Sequence, residues 1–202
     1  MDIVISPETA VEMSKLGGLG VLNLQGLHTR YVNAVEKLEE IARVGVDQYV
    51  PLMQKLYQAP VQKELVVERI RQIKKAGGIV AVSSIPQRAS EYGPIARDAG
   101  ADIFVVQATV ISTRHRSITS ELLDLTQFCK EMKIPVLVGN CVSYAVTLTL
   151  MQTGIAGVLV GIGPGAACTS RGVLGVGVPM ATSIADCAAA RDAYLKDTGR
   201  YV

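Results

Sequence analysis

The chain has 202 residues, 49% of them hydrophobic and 19% charged, which is enough apolar mass for one buried core and too much for a disordered or nucleic-acid-coating protein. Twenty basic and 18 acidic residues leave a formal charge of +2 with no basic block to neutralise a run of phosphates, so neither nucleic acid nor a membrane surface is expected as a partner. Cys129, Cys141, Cys168 and Cys187 show no CxxC or Cys/His metal spacing, a pattern of reduced thiols in a cytoplasmic protein.

Ser6, Pro7 and Glu8 open a first helix, which Gly17 and Gly18 close. A short apolar run at 20–24 reads as the first strand. Asn33 followed by Glu36 has the form of a capping box, and Pro60 starts a helix that runs to Gly77 and Gly78. Strands at 78–83, 102–107, 134–139 and 156–161 then alternate with helices at about 87–99, 119–132, 143–153 and 182–195. The longest apolar stretch, 155–169, is broken by glycines and a proline and falls short of the ~20 residues of a membrane helix. No basic start with a cleavage site marks a signal peptide.

Each strand is nearly all apolar, as strands covered on both faces are, so the fold class is α/β with a parallel sheet and crossover helices. A doubly wound sheet and a (β/α)8 barrel share this local pattern. The sequence starts in a helix with no strand before it, and Gly199-Arg200-Tyr201-Val202 reads as the beginning of another strand. In a barrel this chain supplies about five of the ~8 strands: an incomplete TIM barrel, one partial catalytic-type domain over residues 1–202. Strands 20–24 and 156–161 then lie at open edges, and the chain expressed alone is expected to associate and to lack activity.

The most informative segment is 161–171, Gly-Ile-Gly-Pro-Gly-Ala-Ala-Cys-Thr-Ser-Arg, directly after the last strand. Alternate glycines bring backbone amides and carbonyls close to a ligand, an arrangement suited to phosphate or a cation. Read as GxGxxA it could pass for a dinucleotide fingerprint, but Pro164 interrupts it and Asp186, at the distance of the usual acidic residue, falls in a helix. Cys168 is a thiol in a polar loop at the carboxyl end of a strand, where barrel enzymes place their chemistry; the alternative is a small buried filler. Cys129 and Cys187 lie in helical patterns and read as core, as does Cys141 beside a strand end.

This run, with Gly175-Val176-Gly177-Val178-Pro179 after it, resembles the active-site signature of the IMP dehydrogenase and GMP reductase family. The resemblance extends through Met1-Asp2, 20–24 and Val138-Gly139-Asn140, and is nearest to a bacterial IMP dehydrogenase-related subfamily without the regulatory CBS pair, in whose place only the helical stretch 33–76 stands. It implies a (β/α)8 barrel in which Cys168 is the nucleophile toward C2 of a purine ribonucleotide (IMP, GMP or XMP), with Ser170 as a hydrogen-bond donor. Met1, Gly163, Gly165 and Ala166 would meet the nucleotide; Asn140, Gln107 and Gly161 would meet NAD or NADP. Asn140 could instead cap the next helix. The carbonyls of Gly163, Gly165 and Cys168 would hold a monovalent cation such as potassium, and the full-length protein would be a homotetramer or larger.

Four departures bear on the details. Ala166 stands where relatives carry a phosphate-binding serine, Ser170 where they carry threonine, Gln107 where an aspartate meets the nicotinamide ribose, and Leu159 where a basic residue is usual. The family's Asp-Gly-Gly phosphate site and flap would lie beyond Val202. IMP dehydrogenase is the favoured direction, although Ser112 to His115 looks more like the reductase. A GMP reductase, an inactive nucleotide-binding relative and a generic phosphate-binding barrel enzyme are the alternatives.

Overall fold

The computed structural model describes residues 4–113 and 123–202. Five strands form one parallel sheet in the order β1-β2-β3-β4-β5, the sequence order, with helices between them. Consecutive parallel pairing is the strand order of a (β/α)8 barrel, of which these are five strands. β1 (Val21–Asn23) and β5 (Gly157–Val160) stand at its two ends, as the edge reading requires. The chain folds as two compact units.

The first unit comprises Met1–Ser84 and Glu91–Phe104. Helix α1 (Pro7–Lys15) begins with a reciprocal cap: Ser6 Oγ accepts the Thr9 amide at 3.1 Å while Thr9 Oγ1 accepts the Ser6 amide at 2.6 Å. Gly20 lets the chain leave this helix closely packed, since a Cβ there would lie 2.8 Å from Ala10 Cα. β1 pairs in parallel with β2 (Ala81–Ser84), Leu22 opposite Val82, and both side chains are buried.

Between these strands the sequence gives three helices, α2 (Ala34–Arg43), α3 (Tyr49–Leu56) and α4 (Lys63–Lys75). Leu27, Ala34 and Leu56 form a small core for α2 and α3, with Leu38, Ile41 and Leu52 against it. Two local expectations are corrected here. Asn33 is the N-cap of α2 but makes no side-chain cap, because its backbone (ψ 74°) is not in the extended conformation that aims a cap oxygen at the first turn. The helix expected from Pro60 starts at Lys63, because Gln62 is held extended, its amide on the Thr29 carbonyl at 2.8 Å and its side chain on the Arg30 carbonyl at 2.7 Å. Buried Arg69 on α4 fixes the turn after β1, donating to the carbonyls of His28 (3.0 Å) and Val32 (2.6 Å).

Helix α5 (Pro86–Ala99) and β3 (Ile103–Gln107) lead into the second unit, Ile85–Ser90 and Val105–Val202. There α6 (Leu125–Met132) starts at Asp124, whose carboxylate accepts the Gln127 amide, so the described part of the helix expected from 119 begins later. β4 (Val136–Cys141) pairs with β5 in parallel, and α7 (Tyr144–Met151) and α9 (Met180–Thr198) pack on each other. Buried Thr147 joins all three layers: its hydroxyl lies 3.2 Å from Cys141 Sγ on β4 and donates to Cys187 Sγ on α9 at 3.1 Å. Residues 199–202 are not a strand, contrary to expectation. Gly199 caps α9 at φ 70°, and Arg200 turns inward to donate to the carbonyls of Gly154 and Ile155.

Candidate active site

β5 ends at Val160, and the chain leaves it through Gly161 (φ 120°) and Gly163 (φ 62°), conformations that side chains disfavour. The Gly161 amide donates to the Cys141 carbonyl at 2.9 Å, which ties the start of the loop to the end of β4. Farther on, the Val178 amide donates to the Ile162 carbonyl at 3.1 Å, so 175–179 folds back on the loop. Between these two segments lies the stem of Arg171. A Cβ on Gly163 would sit 3.2 Å from Arg171 Cγ, and one on Gly177 only 2.4 Å from it. Both glycines make room for this arginine, whose Nη2 reaches the Gly165 carbonyl at 3.3 Å.

Cys168 is half-buried two residues before the short helix α8 (Ser170–Leu174), and its own amide donates to the Gly165 carbonyl at 3.1 Å. Hydrogen bonds from the Ser170 hydroxyl and backbone, with a smaller contribution from the Arg171 charge, outweigh partial desolvation and hold the thiol below the ordinary cysteine range. Cys129 and Cys141 are the reverse case, pushed by burial up to about 11. Cys168 is thus the thiol whose surroundings favour the nucleophilic thiolate.

Gln107, Asn140 and Gly161 occupy the carboxyl ends of β3, β4 and β5 and are joined through backbone. The Asn140 amide donates to the Ala108 carbonyl (3.0 Å), the Ala108 amide to the Gly139 carbonyl (2.8 Å), and the Ile111 amide to the Asn140 carbonyl (3.0 Å). Gly139 faces Leu159 so closely that a Cβ would lie 2.4 Å from Leu159 Cβ. Asn140 does not cap α7, whose N-cap is Ser143. Gln107 is exposed and Asn140 half-buried. Their neutral amides offer both donors and acceptors, a set that fits a nicotinamide carboxamide and ribose hydroxyls. Gly165 and Ala166 are exposed on the loop and Gly163 is buried within it. Met1 and His115 lie outside the described residues.

A monovalent cation fits less well. The Gly165 carbonyl already accepts from Cys168 N–H and from Arg171, which uses both of its lone pairs. Among the described residues no cluster of three or more His, Cys, Asp or Glu side chains could hold a metal ion, and no helix is long and apolar enough to cross a membrane. Arg171 is the residue to which the sequence reading gave no role. Its signal was the pair Gly163 and Gly177, whose spacing makes sense once a side chain runs between them.

Consecutive parallel βα units, with a glycine-rich loop and its cysteine beyond the last strand, define a barrel-class α/β protein. Comparison with known proteins narrows the class. The model of the IMP dehydrogenase / GMP reductase domain matches residues 1–197. An uncharacterized oxidoreductase of Mycolicibacterium smegmatis is 42% identical over 208 residues, covering 100% of this chain and 56% of that protein. The inosine-5'-monophosphate dehydrogenase of Cryptosporidium parvum is 28% identical over 93% of this chain and 47% of its own length. A crystal structure of an IMP dehydrogenase/GMP reductase-like protein from Corynebacterium glutamicum superposes with a TM-score of 0.91 at 40% identity, covering 100% of this chain and 54% of that one. The chain belongs to the IMP dehydrogenase / GMP reductase family of oxidoreductases. It spans about half the length of the relatives it matches.

Proposed function

We propose that the protein, with the remainder of its barrel, oxidises IMP to XMP through a covalent adduct on Cys168. The observation that carries this reading is the lowered Cys168 thiol, held by Ser170 in the loop beyond β5. A thiolate there adds to C2 of the purine, and after loss of hydride from C2 the resulting thioimidate is attacked by water, which returns the thiolate and a proton and leaves the new oxygen on C2. A nicotinamide dinucleotide supplies the hydride acceptor when bound. Asn140 and Gln107 orient it through their amides, a neutral contact where an aspartate is usual in the family. Exposed amides of 165–166 meet the 5'-phosphate without a serine hydroxyl, since Ala166 has none. Ser170 donates to the sulfur and stabilises it as leaving group when the adduct breaks.

GMP reduction is the second reading, favoured by the sequence resemblance of Ser112 to His115, after Gln107, to the reductases. Titrating the protein, extended through the rest of its barrel, with IMP and NAD, and separately with GMP and NADPH, while following nicotinamide absorbance tests both. IMP-dependent NADH formation is expected. NADPH oxidation by GMP alone would transfer the assignment to the reductase, and saturable nucleotide binding with no turnover in either direction would refute the enzymatic reading.

A further inference from the structure

The Gly165 carbonyl faces two donors, one of them cationic. Arg171 is exposed, and the contact its guanidinium makes is with the loop, Nη2 donating to the Gly165 carbonyl. Its stem runs close to both Gly163 and Gly177: a β-carbon on Gly177 would lie 2.4 Å from Cγ, too near to fit, and one on Gly163 3.2 Å from it, a tight contact. Its own carbonyl accepts the Gly175 amide at 3.2 Å, which closes α8 onto the same turn. A guanidinium on a backbone carbonyl of this loop does what a bound monovalent cation does: it places a full positive charge against the carbonyl dipole and fixes the loop that carries the thiol.

We propose that Arg171 is a built-in cation, so that the Cys168 loop of this protein is ordered without a bound monovalent metal ion. This rests on the oxidoreductase reading only in taking the loop carbonyls as the place a cation would occupy. The two glycines are then specificity devices, since each admits the arginine stem that keeps an external ion from the Gly165 oxygen.

The test is thermal melting of the protein in potassium chloride and in choline chloride at equal ionic strength, so that general screening is constant. The unmutated protein is expected to melt at the same temperature in both. Arg171→Gln, which keeps a donor but removes the charge, is expected to melt lower in choline and to regain ~5 °C as potassium is added, with saturation, because an ion that binds only the folded state raises Tm by linkage. Gly177→Ala keeps the guanidinium but pushes its stem aside, and should show the same potassium response. Arg171→Lys should be potassium-independent. The rate of Cys168 alkylation, read in parallel, should become potassium-dependent in the first two variants only.

A saturable, potassium-specific rise in the unmutated protein would overturn the proposal, as would Arg171→Gln and Gly177→Ala proteins that melt like the unmutated protein in choline or ignore potassium. Neither readout needs a substrate. Failure of turnover would therefore sink the oxidoreductase reading and leave this one standing, and a potassium response in the unmutated protein would do the opposite.

Discussion

Gly139→Ala places a methyl group where β4 and β5 touch. The added Cβ would lie 2.4 Å from Leu159 Cβ, 2.6 Å from the Leu159 carbonyl oxygen and 2.9 Å from Leu159 Cα. Non-bonded carbons rest at ~3.5 Å or more, so the strands must part by roughly 1 Å. Two of those atoms are backbone, so no rotamer change relieves the clash. Overpacking of this kind costs ~1–3 kcal/mol. Parting the strands also weakens the Gly161–Cys141 hydrogen bond between them, at ~1 kcal/mol. The entropy gained by removing a glycine from the unfolded chain offsets only ~0.5 kcal/mol. A net loss of ~3 kcal/mol follows, or ~6–12 °C in Tm for a chain of this size. Urea and thermal melts followed by circular dichroism measure it. Adding Leu159→Gly removes the 2.4 Å contact but not the backbone ones, so recovery should be partial. A Gly139→Ala protein within ~0.5 kcal/mol of the parent would refute the close pairing that sets Asn140 and Gly161 side by side.

Two further expectations concern titration. Iodoacetamide should label Cys168 first, with a pH midpoint below that of an ordinary thiol, while Cys129 and Cys141, pushed up to about 11, stay unlabelled at neutral pH; Ser170→Ala should move the Cys168 midpoint upward, and an unmoved midpoint would remove Ser170 from its role. Buried His28 is the second case: burial, opposed by Glu8 and aided by Arg69, depresses its imidazole. As pH falls below ~6.5 the unfolded chain takes up a proton that the folded one refuses, so stability should drop there, and His28→Asn should flatten that part of the urea-derived stability profile.

The strands were legible because a buried parallel strand must be apolar on both faces, and each of the five expected runs overlaps an observed strand, with β2 and β4 ending one and two residues later than expected. Helix ends were legible where side chains enforce them, as at Ser6, and not where a distant carbonyl does: Thr29 and Arg30 decide where α4 begins, and nothing local to Pro60 reveals it. Cys168 could be singled out by its place after β5, but the feature that separates it from Cys141 is burial, which depends on α7 and α9 closing over β4. Arg171 was hidden for the same reason. Its partners are 163, 165 and 177, brought together only by the fold-back of 175–179 on the loop.

In the proposed reaction Cys168 bonds to the purine. Incubating the protein, extended through the rest of its barrel, with IMP and NAD, quenching in acid and measuring the mass of the peptide that contains Cys168 tests it most directly. A nucleotide adduct is expected on that peptide alone, absent in Cys168→Ala. Steady NADH formation with an unmodified Cys168, or turnover retained by Cys168→Ala, would contradict it.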